Sequence, residues 1–125
     1  MKSRENLVRL KRFQVNEKRR QLQQIELMVA DFERMAGELE AQIVSEERKS
    51  GITDITHFAY PTFAKAARQR RDNLKTSQSG LLSQLAGAES ALAEAEAELA
   101  RAEALENRDP RNRDAGSEGR TAAGL

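Results

Sequence analysis

The chain has no cysteine and no tryptophan, and only two prolines and one histidine among its 125 residues. Without cysteine there is no disulfide, and no thiolate to act as nucleophile or metal ligand. A single histidine does not furnish the ligand set of the usual transition-metal sites. No metal or other cofactor is therefore expected, and His57 reads as an ordinary loop residue. Aromatics make up 4% of the chain, too few large apolar side chains to close the core of a compact globule. Long apolar runs are missing too. The opening MKSRENLVRL lacks the apolar core of about 7–15 residues that a secretory leader carries. The longest uncharged stretch, Thr76 to Ala88, is too short and too polar to span a bilayer. These absences point to a soluble, intracellular chain. The net charge of +1 selects no partner in bulk.

What is present is helix-forming and periodic. Charged residues make up 33%, and Ala, Glu, Lys, Leu, Arg and Gln dominate, the composition of long helices and coiled coils. From Leu22 the apolar residues step by threes and fours through Ile25, Val29, Phe32, Ala36, Leu39 and Ile43. That spacing keeps one stripe facing a partner helix. Extended backwards, the same register passes through Val15 and Val8 with Lys18 and Lys11 between them, so the stripe starts weakly. A first helix is predicted over about 3–49, roughly 70 Å at about 1.5 Å per residue. Arg48 and Lys49 lie in its last turn, and Gly51 stands just beyond. The stretch SGITDITHFAYP loses the period and ends in Pro61, which suits a loop over about 50–60, with one short helical turn at Asp54 to Phe58. A second stripe follows: Phe63, Ala67, Leu74, Leu81, Leu85, Ala88, Leu92, Ala95, Leu99, Ala102. It predicts a helix over about 61–107, softened at Gly80 and Gly87. From Asp109 the composition turns to Pro, Gly, Arg and Asp, and residues 109–125 read as a disordered tail.

Two helices of similar length joined by a short loop fold back on each other most simply. The fold class is therefore all-α, an antiparallel coiled-coil hairpin over 1–108. Charge supports the direction independently. Residues 1–20 carry eight basic and two acidic side chains, whereas residues 85–107 carry six Glu and only Arg101. At the other end, Lys65, Arg68, Arg70, Arg71 and Lys75 face Glu33, Glu38, Glu40, Glu46 and Glu47. A parallel pairing would set like charge against like. Pairing positions whose numbers add to about 110 sets large side chains opposite small ones and puts Lys11 and Lys18 over Leu99 and Leu92. Their stems can cover the leucines while their ammonium groups reach neighbouring glutamates. An antiparallel dimer that swaps these helices between chains satisfies the same pattern.

No catalytic residues emerge. Neither GxxxxGK[ST] nor GxGxxG occurs, so no loop is built to cradle phosphate. The serines lack a histidine and aspartate in a nucleophile arrangement. A two-helix rod offers no cleft to shift the pKa values of its glutamates. Two features can carry binding instead. The first is the basic amino end, with Arg4, Arg9, Lys11, Arg12, Arg19 and Arg20; the plain alternative is that it only complements the acidic end of the second helix. Nucleic acid is disfavoured there, because aromatic stacking is scarce and the Glu stripe alongside would repel phosphate. The second is the aromatic turn, Phe58, Tyr60 and Phe63, followed by Arg68, Arg70 and Arg71. Its plain alternative is a hydrophobic plug closing the end of the rod; its functional reading is a partner anchor.

The segments MKSRENLVRLKRFQVNEKRRQLQQIE, SGITDITHFAYPTFAKAARQRRDNL and AEAEAELARAEALE resemble the flagellar export protein FliJ family of alphaproteobacteria. HFAYPTFAKAARQRRDNL is the most specific of these, since a generic coiled coil has no reason to contain it. The resemblance implies a cytoplasmic antiparallel coiled coil, similar to the stalk of a rotary ATPase γ subunit, at the inner-membrane type III export apparatus. It implies as partners the export ATPase hexamer, the cytoplasmic domain of the export gate, and export chaperones with their substrates. It implies no catalytic residues. On this view the basic amino end enters the ATPase ring and the aromatic turn faces the gate. The competing expectation is a structural or scaffolding coiled coil unrelated to an ATPase.

Overall fold

A computed structural model describes residues 2–108; the predicted tail, 109–125, lies outside the described residues. Two helices account for nearly all of them: α1, Lys2–Ser50, and α2, Thr62–Asn107. The all-α class and the pairing of two long helices are thus as the periodicity indicates. α1 stops where the sequence supplies a left-handed residue. Gly51 adopts φ 74°, a conformation in which a side chain would clash with the backbone. Its N–H donates to the Glu47 carbonyl at 2.8 Å, closing the last turn. Ser50 adds a second lock, its Oγ donating to the Glu47 carbonyl and accepting from the Ile52 N–H.

The connecting segment forms two successive tight turns, not the helical turn expected at Asp54 to Phe58. The His57 N–H reaches the Asp54 carbonyl and the Tyr60 N–H reaches the His57 carbonyl. Side chains explain the preference. Asp54 Oδ1 accepts from both the N–H and the hydroxyl of Thr56, at 3.0 and 2.7 Å, and His57 Nδ1 accepts from the Ala59 N–H. Such local side-chain bonds offer the backbone an alternative to helix. The same bonds from Thr56 hold the Asp54 carboxyl below its ordinary value. α2 then begins as Pro61 allows, its carbonyl accepting the Lys65 N–H.

The described residues divide into two compact units, one formed by 2–22 with 87–108 and the other by Gln23–Ala86. Each is an antiparallel pair of helical segments packed through one stripe. In the first unit the stripe on α1 is Arg4, Val8, Lys11, Val15, Lys18 and Leu22, and on α2 Ala88, Leu92, Ala95, Leu99, Ala102 and Glu106; all are buried or half-buried. In the second unit it is Ile25, Val29, Phe32, Ala36, Leu39 and Ile43 on α1, against Tyr60, Ala64, Ala67, Arg71, Leu74, Gln78, Leu81 and Leu85. The steps of four and three are unbroken on both helices, which is the spacing of a two-stranded seam. Ile43 and Val15 are the largest fully buried side chains, each contributing about 1.5–3 kcal/mol by burial.

The register on α2 corrects one expectation. Phe63 does not lie on the seam. It is 56% exposed, and its neighbour Ala64 is fully buried in its place. Gly80 and Gly87 sit within unbroken helix, and a methyl group added at either would meet nothing.

Candidate functional site

In the second unit, the segment that joins the helices separates the three aromatics. Tyr60 occupies a seam position one heptad before Ala67 and is only 7% exposed. Its hydroxyl donates to Glu47 Oε2 at 2.8 Å and accepts from Arg68 Nε at 2.9 Å. Arg68 also reaches the same Glu47 oxygen directly, at 3.2 Å. A tyrosine can fill a seam in this way because its one polar atom finds partners. Its hydroxyl, followed by Glu47, keeps the Arg68 guanidinium above its ordinary value and so firmly charged. Tyr60 is therefore the plug.

Phe58 is the opposite case. It is 97% exposed, its ring stacked only on His57 at 4.8 Å between centroids. Ile55 and Phe63 are exposed beside it in the sequence. An apolar ring held in water on a tightly bonded turn has no folding role that burial would explain.

Further along α2 the basic residues divide again. Arg71 lies in the seam itself. It bonds Glu40 across the helix pair at 2.8 Å and Asp72 on its own helix at 2.9 Å. The bond from Arg71 holds the Glu40 carboxyl below its ordinary value, and the same contacts push the Arg71 guanidinium up. Arg70 is exposed and makes no ion pair among the described residues, and neither do Lys65 and Lys75. Of the acids expected opposite this basic stretch, Glu40 and Glu47 are engaged. Glu38 bonds Arg34 and Glu46 pairs with Lys49 on their own helix, while Glu33 makes no ion pair among the described residues.

In the first unit the basic amino end is largely answered from within the chain. Lys11 Nζ meets Glu98 at 3.3 Å, its stem on the seam and its head at the edge, as the register anticipates. Arg12 meets Glu103 and Arg19 meets Glu96. Arg4 donates to the Leu105 carbonyl at 3.1 Å, and Arg20 pairs with Glu17 one turn back. In the pairs Lys11–Glu98, Arg12–Glu103 and Arg19–Glu96 the residue numbers add to between 109 and 115. Each exposed pair contributes about 0.2–1 kcal/mol, enough to choose a register without holding the helices together. Arg9 is exposed and makes no ion pair among the described residues, and Leu10 and Phe13 stand exposed close by in sequence.

Sequence reasoning missed Glu47 as the acceptor that anchors Tyr60, and missed that Arg71 is a seam residue. Counting back by heptads from Leu81 through Gln78, Leu74, Arg71, Ala67 and Ala64 would have found both Arg71 and Tyr60 on the stripe. Among the described residues no three His, Asp or Glu side chains gather where they could hold a metal ion, and no helix is long and apolar enough to cross a membrane. No protein-family model matches the chain, and no curated protein or solved structure is significantly similar to it.

Proposed function

We propose that the chain is a non-enzymatic, cytoplasmic component of a flagellar type III protein export apparatus. It acts by binding the export ATPase hexamer and the cytoplasmic domain of the export gate, and it assists the handling of chaperones and substrates. The observation that carries this reading is local. HFAYPTFAKAARQRRDNL, the most specific part of the resemblance to the FliJ family, is the stretch that fixes a turn through Tyr60, Glu47 and Arg68 while leaving Phe58 bare. Such a turn suits an anchor, because the ring is presented with little conformational entropy left to lose on docking.

On this reading Phe58, Phe63 and Arg70 meet the gate. Arg9, with Leu10 and Phe13, is the part of the amino end free to meet the ATPase, since Lys11, Arg12 and Arg19 already have partners within the chain. The test is capture of the purified gate domain and of the export ATPase by the full chain. Phe58→Ala lowers gate capture, and Arg9→Glu lowers ATPase association and stimulation at moderate salt, both with helicity unchanged. Failure of the unaltered chain to capture either protein overturns the proposal. That result would leave a scaffolding coiled coil, the reading favoured by the in-chain neutralisation of the basic end.

A further inference from the structure

In the unit formed by Gln23–Ala86 the two flanks of the seam differ in chemistry. One flank is bridged between helices by Arg71 with Glu40, by Arg68 with Glu47, and by the Tyr60 hydroxyl. The other has no interhelical hydrogen bond or ion pair among the described residues. It is an open groove of about 470 Å³ whose apolar members are Met35, Leu39 and Leu74. Only two charges line it, Glu38 on α1 and Arg70 on α2. Among the described residues Arg70 makes no ion pair, and Glu38 bonds Arg34 one turn back on its own helix, at 3.0 Å.

We propose that this groove is a self-association surface, covered by a second copy of the same chain. The charges select the occupant. A two-fold axis running along the groove lays each α1 edge over the α2 edge of the other copy. The single acid and single base then become two complementary pairs, Glu38 of each copy with Arg70 of the other. A foreign helix would have to bring an acid and a base at that spacing; the chain already carries them. Met35, Leu39 and Leu74 from both copies close a four-helix core, and the unbranched methionine adapts to the gap. The inference shares Arg70 with the proposed gate surface, but its test reads association of the chain alone, so its failure and that of the export reading are told apart; the rest of the groove lies on the opposite flank from the one that fixes Tyr60.

The experiment is sedimentation of the full chain from about 10 to about 300 µM, a range that brackets weak pairing. E38R and R70E are each expected to weaken self-association by at least about tenfold, by setting like charges together in a closing interface. The double variant E38R/R70E restores the pairs with reversed sign and recovers association to within about threefold of the unaltered chain. Both positions are exposed, so circular dichroism reads the same helicity for all four proteins. A chain that stays monomeric throughout the range overturns the proposal. So does association that the single variants leave unchanged, or that the double variant fails to restore.

Discussion

Replacing Tyr60 by phenylalanine removes one oxygen atom and tests whether the turn is held as described. That hydroxyl bonds both Glu47 and Arg68, and hydrogen bonds to charged groups contribute about 1.5–3 kcal/mol when buried. Two features lower the expected loss. Glu47 and Arg68 still meet directly at 3.2 Å, and their side chains retain 13% and 27% of their exposure, so water can replace part of what is lost. The expected destabilisation for Tyr60→Phe is about 1 kcal/mol, a fall in Tm of roughly 3–5 °C for a chain of this size. Tyr60→Ala also removes the ring. Aromatic truncation in a core costs about 3–5 kcal/mol; a ring packed against the end of a two-helix seam should lose about 2.5–4 kcal/mol. Phe58→Ala, two residues away and almost wholly in water, should cost under about 0.5 kcal/mol. Urea unfolding followed by far-ultraviolet circular dichroism, extrapolated linearly to water, measures all three. A Tyr60→Phe protein as stable as the parent, or a Phe58→Ala protein losing more than about 1 kcal/mol, would refute this division between plug and anchor.

Three further outcomes follow from the same contacts. A methyl group at Gly37, Gly80 or Gly87 would meet nothing within 4 Å, so each Gly→Ala change should stabilise the chain by about 0.5–1 kcal/mol, read as a higher urea midpoint. Lys18 is half-buried on the seam and makes no ion pair among the described residues, so Lys18→Leu should raise stability by about 1 kcal/mol in the same assay. The Glu40 carboxyl is held below its ordinary value of 4.5 by Arg71. Its contribution is therefore complete well above pH 4.5 and fades as the pH falls below it. Because the Glu40 side chain is 50% exposed, Glu40→Gln should lower neutral-pH stability by only a few tenths of a kcal/mol and flatten the acid limb of the stability profile.

The fold was legible because the apolar steps from Leu22 to Ile43 are large residues with few interruptions, and because the charges of the two ends are of opposite sign. Val8 and Val15 also lie where the extended register put them, although lysines separate them; a lysine stem covers a seam almost as a leucine does. The turn was less legible for a chemical reason. Between Tyr60 and Leu81 the stripe passes through Ala64, Ala67, Arg71, Leu74 and Gln78, two small residues and two polar ones with a single leucine. Hydrophobicity alone therefore pulls the eye to Phe63. What settles the register is that Tyr60 and Arg71 each find acidic partners across the pair, in Glu47 and Glu40. Such pairings depend on two distant segments meeting, which no local pattern announces. At the amino end the sequence left two readings open, a binding surface or a complement to the acidic end of α2, and the pairs Lys11–Glu98, Arg12–Glu103 and Arg19–Glu96 bear on that choice only once the two segments are side by side.

The claim on which everything rests is the antiparallel register, and a chain without cysteine lends itself to a direct measurement. Val15 and Ala95 are both buried; Val15 lies between Lys11 and Arg19, and Ala95 lies within one turn of their partners Glu98 and Glu96. With cysteine at positions 15 and 95, mild oxidation at low protein concentration should link the two within one molecule. A control with cysteine at 15 and 102, displaced by seven residues or about 10 Å along α2, should not link. Efficient linkage of the control, or linkage of the first pair only between molecules, would contradict the register and with it the account of both units.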